Sequence, residues 1–284
     1  MTMAGHLLAF ALLLSCASAA VELQRHKPHS GRGGQCPPCP QGSQGTPPPP
    51  GGFNFYFLVR QWPYTFCTFK KCSKAPKQTS GFTLHGLWPN LDNHCPDDFP
   101  EVCDSSDYDS SQISGTVLAD MKSMWTSYIS DDDCFLNHEW ECHGTCSGLS
   151  QPDYFQDVIA LHKQTDIAAA LASSQYNIVP SGSPVSTADF TQALADAFGY
   201  APILHCHNDK HSGDSYIDEV WQCVDKNTLK IMDCNDACTV HSSCAVHPNQ
   251  QCDSSIIYDT PHISLHPAPS SCTLECHEKS GACH

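Results

Sequence analysis

Nineteen cysteines in 284 residues constrain this fold more than any other feature, because cysteine at this density is used in oxidising compartments to cross-link a chain. Residues Leu7 to Leu14 form a short apolar run followed by Ala17-Ser18-Ala19-Ala20, the small-residue pattern of a secretory cleavage site, so residues 1–20 read as a signal peptide. The run is too short to span a bilayer, and no later stretch is apolar enough to do so. Cleavage removes Cys16 and leaves eighteen cysteines, an even number suited to pairing. A zinc protein would place Cys/His pairs in separate knuckles, for which Cys36-Pro-Pro-Cys39 and Cys272 to His277 are candidates. Disulfides are the better reading.

Residues 21–52 are a Pro/Gly-rich linker or disordered arm with almost nothing that could pack. Its Cys36-Pro-Pro-Cys39 lacks the βαβ context of a thioredoxin motif, which leaves a local disulfide or an interchain bridge. The folded domain spans 53–258, and 259–284 form a Cys/His/Pro-rich tail that contributes nothing to a catalytic core. Unpaired tail cysteines could make a covalent dimer.

Within the domain, Phe53 to Gln61 alternates aromatic and aliphatic residues as a core strand does, and Trp62-Pro63 stops it. Phe82 and Leu84 alternate with Thr83 and His85, predicting a second strand that turns its apolar pair inward and leaves His85 on the opposite face near its end. Ile113, Val117, Met121 and Trp125 recur at i+4 behind Asp109 and Gln112, predicting a helix over 109–129 with a capping box. Further helices are predicted around 153–171 and from Ser186 or Thr187 to Phe198, the latter closed by Gly199. Tyr216 to Val224 alternates as a strand, with Ile217, Glu219, Trp221 and Cys223 on one face, and Thr228 to Asp233 offers a short partner. The class is α+β, with helices grouped between two sets of strands.

Two segments carry the chemistry. His138-Glu-Trp-Glu-Cys-His-Gly-Thr-Cys146 puts Glu139 and His143 four residues apart, on one face if the segment is helical. His138 lies beside that face, suited to holding a phosphate oxygen, while His85 would come from its strand across a cleft. Breaking a ribonucleic phosphodiester without a metal needs a base for the 2′-hydroxyl proton, an acid for the leaving 5′-oxygen, and groups that stabilise the phosphorane. Two histidines and a carboxylate supply them. A zinc-protease motif would need histidines at i and i+4, whereas His138 and His143 are i+5 apart. His138 with Cys142 at i+4 is a conceivable metal pair, set aside because oxidising surroundings favour a disulfide or buried thiol. Trp88 reads equally as a base-stacking platform or as a packing residue.

Phe82-Thr-Leu-His85-Gly-Leu-Trp88-Pro89 and His138 to Cys146, with Gln61-Trp62-Pro63 and Trp221-Gln222-Cys223-Val224-Asp225 in the same order, resemble the T2-type ribonucleases, especially their extracellular plant-like members. The resemblance covers roughly Phe53 to Tyr258. It implies a disulfide-stabilised α+β fold with a central antiparallel sheet flanked by helices, and a secreted, acid-operating endoribonuclease. It also implies cleavage of single-stranded RNA through a 2′,3′-cyclic phosphate, with no cofactor or metal and with neither DNA nor membrane as partner. A vacuolar or lysosome-like compartment is the alternative location. Residue by residue, it makes His143 the general base, His85 the general acid, Glu139 a phosphorane stabiliser, His138 a phosphate ligand and Trp88 the base-stacking residue. It implies bridges Cys103–Cys146, Cys206–Cys252 and Cys223–Cys234, with Cys72 joined to either Cys67 or Cys134.

One departure concerns rate. Cys142 stands where the family carries a lysine, which removes a fixed positive charge and implies a slower enzyme; one such group is typically worth about 3 kcal/mol. The formal net charge of −16 argues against tight nonspecific gripping of a nucleic-acid backbone. Turnover in a local pocket tolerates it, most readily in acid where some of the 17 histidines are protonated. The competing function is a catalytically weakened extracellular T2-like protein with a storage, defence or recognition role.

Overall fold

The computed structural model describes residues 49–76, 81–91, 99–234, 250–260 and 265–267. The expected signal peptide, most of the arm with Cys36 and Cys39, and most of the tail with its cysteines lie outside the described residues.

β1 (Phe55–Gln61) lies inside a seven-stranded, largely antiparallel sheet, between β2 (Thr83–Asn90) and β5 (Ser215–Asp225). Its alternation serves two buried faces at once. Phe55, Phe57 and Val59 pack with Trp88 and Cys223 on one side. Tyr56 and Leu58 point to the other, into a core of Leu84, Leu87, Trp125, Trp140, Tyr154 and Phe155. Pro63 opens α1 (Pro63–Phe69) rather than a loop, since its fixed φ and missing N–H suit a first helical position. β4 (Ile203–Asn208) and β6 (Ile231–Met232) also pair with β5. β7 (Ser255–Ile257) joins β5 in parallel and carries β3 (Pro184–Ser186). A second core of Trp62, Phe82, Leu171, Phe190, Ile217 and Tyr258 lies at this end of the sheet.

Four disulfides tie these elements: Cys67–Cys72, Cys103–Cys146, Cys206–Cys252 and Cys223–Cys234. Of the two partners open to Cys72, the structure selects Cys67. Cys134 and Cys142 are disulfide-bonded too.

The helices differ from their predicted extents for local reasons. The segment 109–129 is two elements. Asp109 caps only the 3-10 turn Ser110–Gln112, accepting from the Ser111 amide and the Gln112 side chain. Ser114 then caps α2 (Gly115–Met124) through the Val117 amide. The segment 153–171 likewise divides into α4 (Gln151–Gln164) and α5 (Ile167–Ser173). Thr165 breaks it, because its carbonyl and hydroxyl both accept from the fully buried Arg60 guanidinium, at 2.6 and 2.5 Å. α6 (Thr187–Phe198) has the predicted Ser186 cap and the left-handed Gly199 at φ 87°. No helix among the described residues is long and apolar enough to cross a membrane.

The domain's flanks are also tied down. The Gly51 amide donates to the Cys146 carbonyl, and the His266 amide to that of Cys72. These ends of the arm and tail therefore dock on the domain.

Candidate active site

His85 occupies an irregularity in the β1–β2 ladder. Val59 pairs with Gly86 and Arg60 with Leu84, so His85 is the extra residue of a β-bulge. It stands third in a strand that continues to Asn90, not near the strand's end as the alternation predicted. The Trp125 indole donates to the His85 carbonyl at 2.7 Å and holds the bulged backbone in place.

The other box is α3 (Asp132–Cys142), capped by Asp131 and carrying Asp132 and Asp133 in its first turn, where acidic groups meet the positive end of the dipole. The helix ends at Cys142, but the His143 amide still donates to the Glu139 carbonyl at 3.2 Å. His143 therefore sits one turn beyond Glu139, as the spacing predicts. The chain then tightens into the 3-10 turn Gly144–Cys146, anchored by Cys103–Cys146. A Cβ at Gly144 would fall 2.3 Å from the Trp140 ring, so only glycine fits this reversal.

Glu139 is the hub where the two boxes meet. Its Oε2 accepts from the Trp88 indole at 2.9 Å, and its Oε1 lies 3.8 Å from His85 Nε2. Nitrogen atoms of His138 and His143 and a Glu139 oxygen lie within 4.8 Å of one another, close enough for these three residues to hold one small cation. The Trp88 ring packs against both imidazoles, with centroids 4.8 Å from His85 and 5.0 Å from His143. His138 Nδ1 lies 3.3 Å from Cys142 Sγ. His138, Glu139 and His143 are buried, while the His85 side chain keeps 13% of its surface exposed. The structure thus brings together every residue singled out from the two boxes.

Trp88, the residue expected to stack on a base, is largely enclosed. It is 8% exposed, and its ring is also met edge-on by Trp221 at 5.1 Å. Its indole N–H donates to Glu139. Cys142, being oxidised, has no thiol to ligate a metal.

Electrostatics push the site toward its protonated forms. Burial raises the Glu139 carboxyl to about 7, against the opposing pull of His85 and the Trp88 hydrogen bond. Burial disfavours a charged His85 ring, but Glu219, by charge and by a hydrogen bond of 2.5 Å to Nδ1, more than offsets this. With Glu139 and Asp218 adding, His85 rises to about 9. At mildly acid pH the cleft therefore holds a cationic imidazole beside a neutral carboxyl. Those groups can deliver protons to an anionic centre without repelling it.

The two-box reading of the site left out Glu219. Its signal was a carboxylate within the predicted apolar alternation Ile217, Glu219, Trp221, Cys223, although a bulge at Asp218 turns Ile217 to the opposite face of β5.

A sequence profile of the Ribonuclease T2 family matches residues 53–234. Ribonuclease 1 of Arabidopsis thaliana is 35% identical over 191 residues, covering 64% of this chain and 80% of that protein. Extracellular ribonuclease LE of Solanum lycopersicum is 31% identical over 218 residues, covering 73% and 87%. Among solved structures, RNase NT in complex with 5'-AMP superposes with a TM-score of 0.61 at 30% identity, covering 73% of this chain and 98% of its own. With its two boxes joined at Glu139 on this fold, the chain belongs to the Ribonuclease T2 family and is a T2-type endoribonuclease.

Proposed function

We propose that this protein is a secreted, metal-independent endoribonuclease that cleaves single-stranded RNA through a 2′,3′-cyclic phosphate by paired histidine acid-base catalysis. The observation that carries the reading is the convergence of His85, Glu139 and His143 around one indole, with Glu139 3.8 Å from the His85 ring. His143 takes the 2′-hydroxyl proton as that oxygen attacks phosphorus. His85 gives its proton to the departing 5′-oxygen. Neutral Glu139 donates to a nonbridging oxygen of the phosphorane, and His138 binds another. Trp88 positions Glu139 through its indole N–H. The nucleotides bound in the structures of related ribonucleases, 5'-AMP and 5'-GMP, support a nucleotide-sized cleft here as well.

The reading is tested by incubating purified protein with single-stranded RNA at pH 5 in EDTA. Fragments ending in 2′,3′-cyclic phosphate are expected, and the His85→Ala/His143→Ala double variant should release none. Activity that appears only when zinc is added would overturn the metal-free mechanism and favour a cation held by His138, Glu139 and His143. A folded protein silent under both conditions would favour the weakened, non-catalytic role.

The missing lysine at Cys142 is a handicap on rate in this reading. Because Cys142 is disulfide-bonded, Cys142→Lys also breaks a cross-link, so Cys142→Ala is the proper reference. Lysine should turn over a dinucleotide on the order of a hundredfold faster than alanine, corresponding to about 3 kcal/mol. Equal rates would remove the handicap.

A further inference from the structure

We propose that Glu219 is a positioning residue that grips Nδ1 of His85, thereby directing the transferable proton to Nε2. The proposal deepens the reading above and rests on His85 being the general acid.

The contact is built across the sheet. His85 comes from β2 and Glu219 from β5, the two neighbours of β1, so their 2.5 Å bond spans the intervening strand. The bulge re-aims His85 at the position where this reach is needed. Glu219 is itself fixed, since its second oxygen accepts from the Trp221 indole at 2.7 Å. That indole is stacked on the His205 ring, centroids 4.0 Å apart and planes 10° from parallel. At 8% exposure the carboxylate is shielded from water. An imidazole whose Nδ1–H is held by a carboxylate presents Nε2 outward with its orientation and tautomer set. Here Nε2 is the nitrogen on the Glu139 side, facing the cleft.

The surrounding charges agree with this assignment. Beyond Glu219, His85 is faced by Glu139 from α3 and Asp218 from β5. Burial disfavours charge on Glu219, but His85, His205 and the Trp221 bond outweigh it and hold the carboxyl below its ordinary range. Asp218 is pushed up to about 7 by burial and by Glu219, against Lys70 and His85. Glu219 is therefore the ionised member of the adjacent acidic pair, and its charge is available to His85.

The test uses the full chain with isotope-labelled histidine, comparing the parent with Glu219→Gln, which keeps the size of the side chain and removes its charge. Two readings are taken: the His85 titration midpoint by NMR, and dinucleotide turnover between pH 4.5 and 9. The midpoint is expected to fall by at least about one pH unit. The variant-to-parent rate ratio is expected near one at pH 4.5 and, for a one-unit fall in the midpoint, about fivefold lower by pH 9 as the acid form of His85 is lost. A merely structural role would lower the rate equally at every pH. Glu219 also raises Glu139, so the midpoint of His85 itself decides the matter. An unshifted midpoint in folded variant overturns the clamp. A lowered midpoint with a flat rate ratio leaves the clamp standing and overturns His85 as the acid. The parent provides a reading that needs no variant: above pH 10, nitrogen shifts should show neutral His85 carrying its proton on Nδ1. The opposite tautomer would overturn the proposal.

Discussion

Gly86 should be irreplaceable, and the reason lies in the bond it borders. An ideal Cβ at this position falls 2.1 Å from both Glu139 Oε2 and Trp88 Nε1, and 2.8 Å from Trp88 Cδ1. The first two atoms are themselves donor and acceptor at 2.9 Å, so an added methyl group wedges into the hydrogen bond. Against the 3.0 Å floor for real Cβ contacts, each must retreat by 0.9 Å. Neither has free room, since Glu139 is fully buried and Trp88 is 8% exposed. Overpacking costs about 1–3 kcal/mol, and the stretched or lost hydrogen bond about 1 kcal/mol more. Gly86→Ala should thus lose about 2–4 kcal/mol, lowering Tm by roughly 5–15 °C for a domain of this size. Moving Glu139 by nearly 1 Å should cost turnover on the order of a hundredfold. Thermal melts and dinucleotide turnover measure both, with Gly115→Ala as the control. Gly115 opens α2 with nothing within 4 Å of its Cβ, so alanine there should be neutral or stabilising by up to about 1 kcal/mol. A Gly86→Ala protein with the parental Tm and a rate within about twofold would refute the claim that close packing at Gly86 holds Glu139 in place.

Stability should also depend on pH in a defined sense. His85, raised to about 9 from an ordinary 6.5, contributes fully below about pH 6.5 and loses that contribution as pH rises through 9. Glu139, raised to about 7 from 4.5, acts in the same direction over a lower window. Hydrogen bonds and Lys74 hold Asp132 below its ordinary range despite burial, so its contribution is lost in stronger acid. Urea midpoints should peak in mild acid and fall steadily towards pH 9.5, and a flat profile from pH 5 to 9.5 would contradict the shifts. The cross-links should rank by the chain they enclose. Removing Cys206–Cys252, with a separation of 46, should cost about 4 kcal/mol by loop entropy. Removing Cys67–Cys72, with a separation of 5, should cost about 2 kcal/mol. Serine pairs compared in urea would show it, and a reversed order would mean that native packing outweighs loop closure.

The features legible in the sequence were those set by neighbours along the chain. The alternation of β1 and of β5 from Glu219 onward, the Ser186 cap and Gly199 stop of α6, and the i+4 relation of Glu139 to His143 all follow from local periodicity and capping. What escaped were contacts made by tertiary partners. Thr165 divides a continuous helical pattern because Arg60, 105 residues earlier, needs its oxygens. Alternation also could not locate the bulge that makes His85 an extra residue in its ladder. Glu219 lies 134 residues from His85, and no spacing rule links them. A buried carboxylate nevertheless demands a donor. On β5, Glu219 shares its face with the apolar Trp221 and Cys223, and the strands paired with β5 carry no lysine or arginine except Arg60. Arg60 is committed to Thr165 on the helix side of β1, and of the two histidines whose charge bears on Glu219, His85 and His205, His85 makes the hydrogen bond. His85, bulged out of β2, meets that requirement across β1, and the same charge that stabilises the buried acid prepares the ring to give up its proton at Nε2.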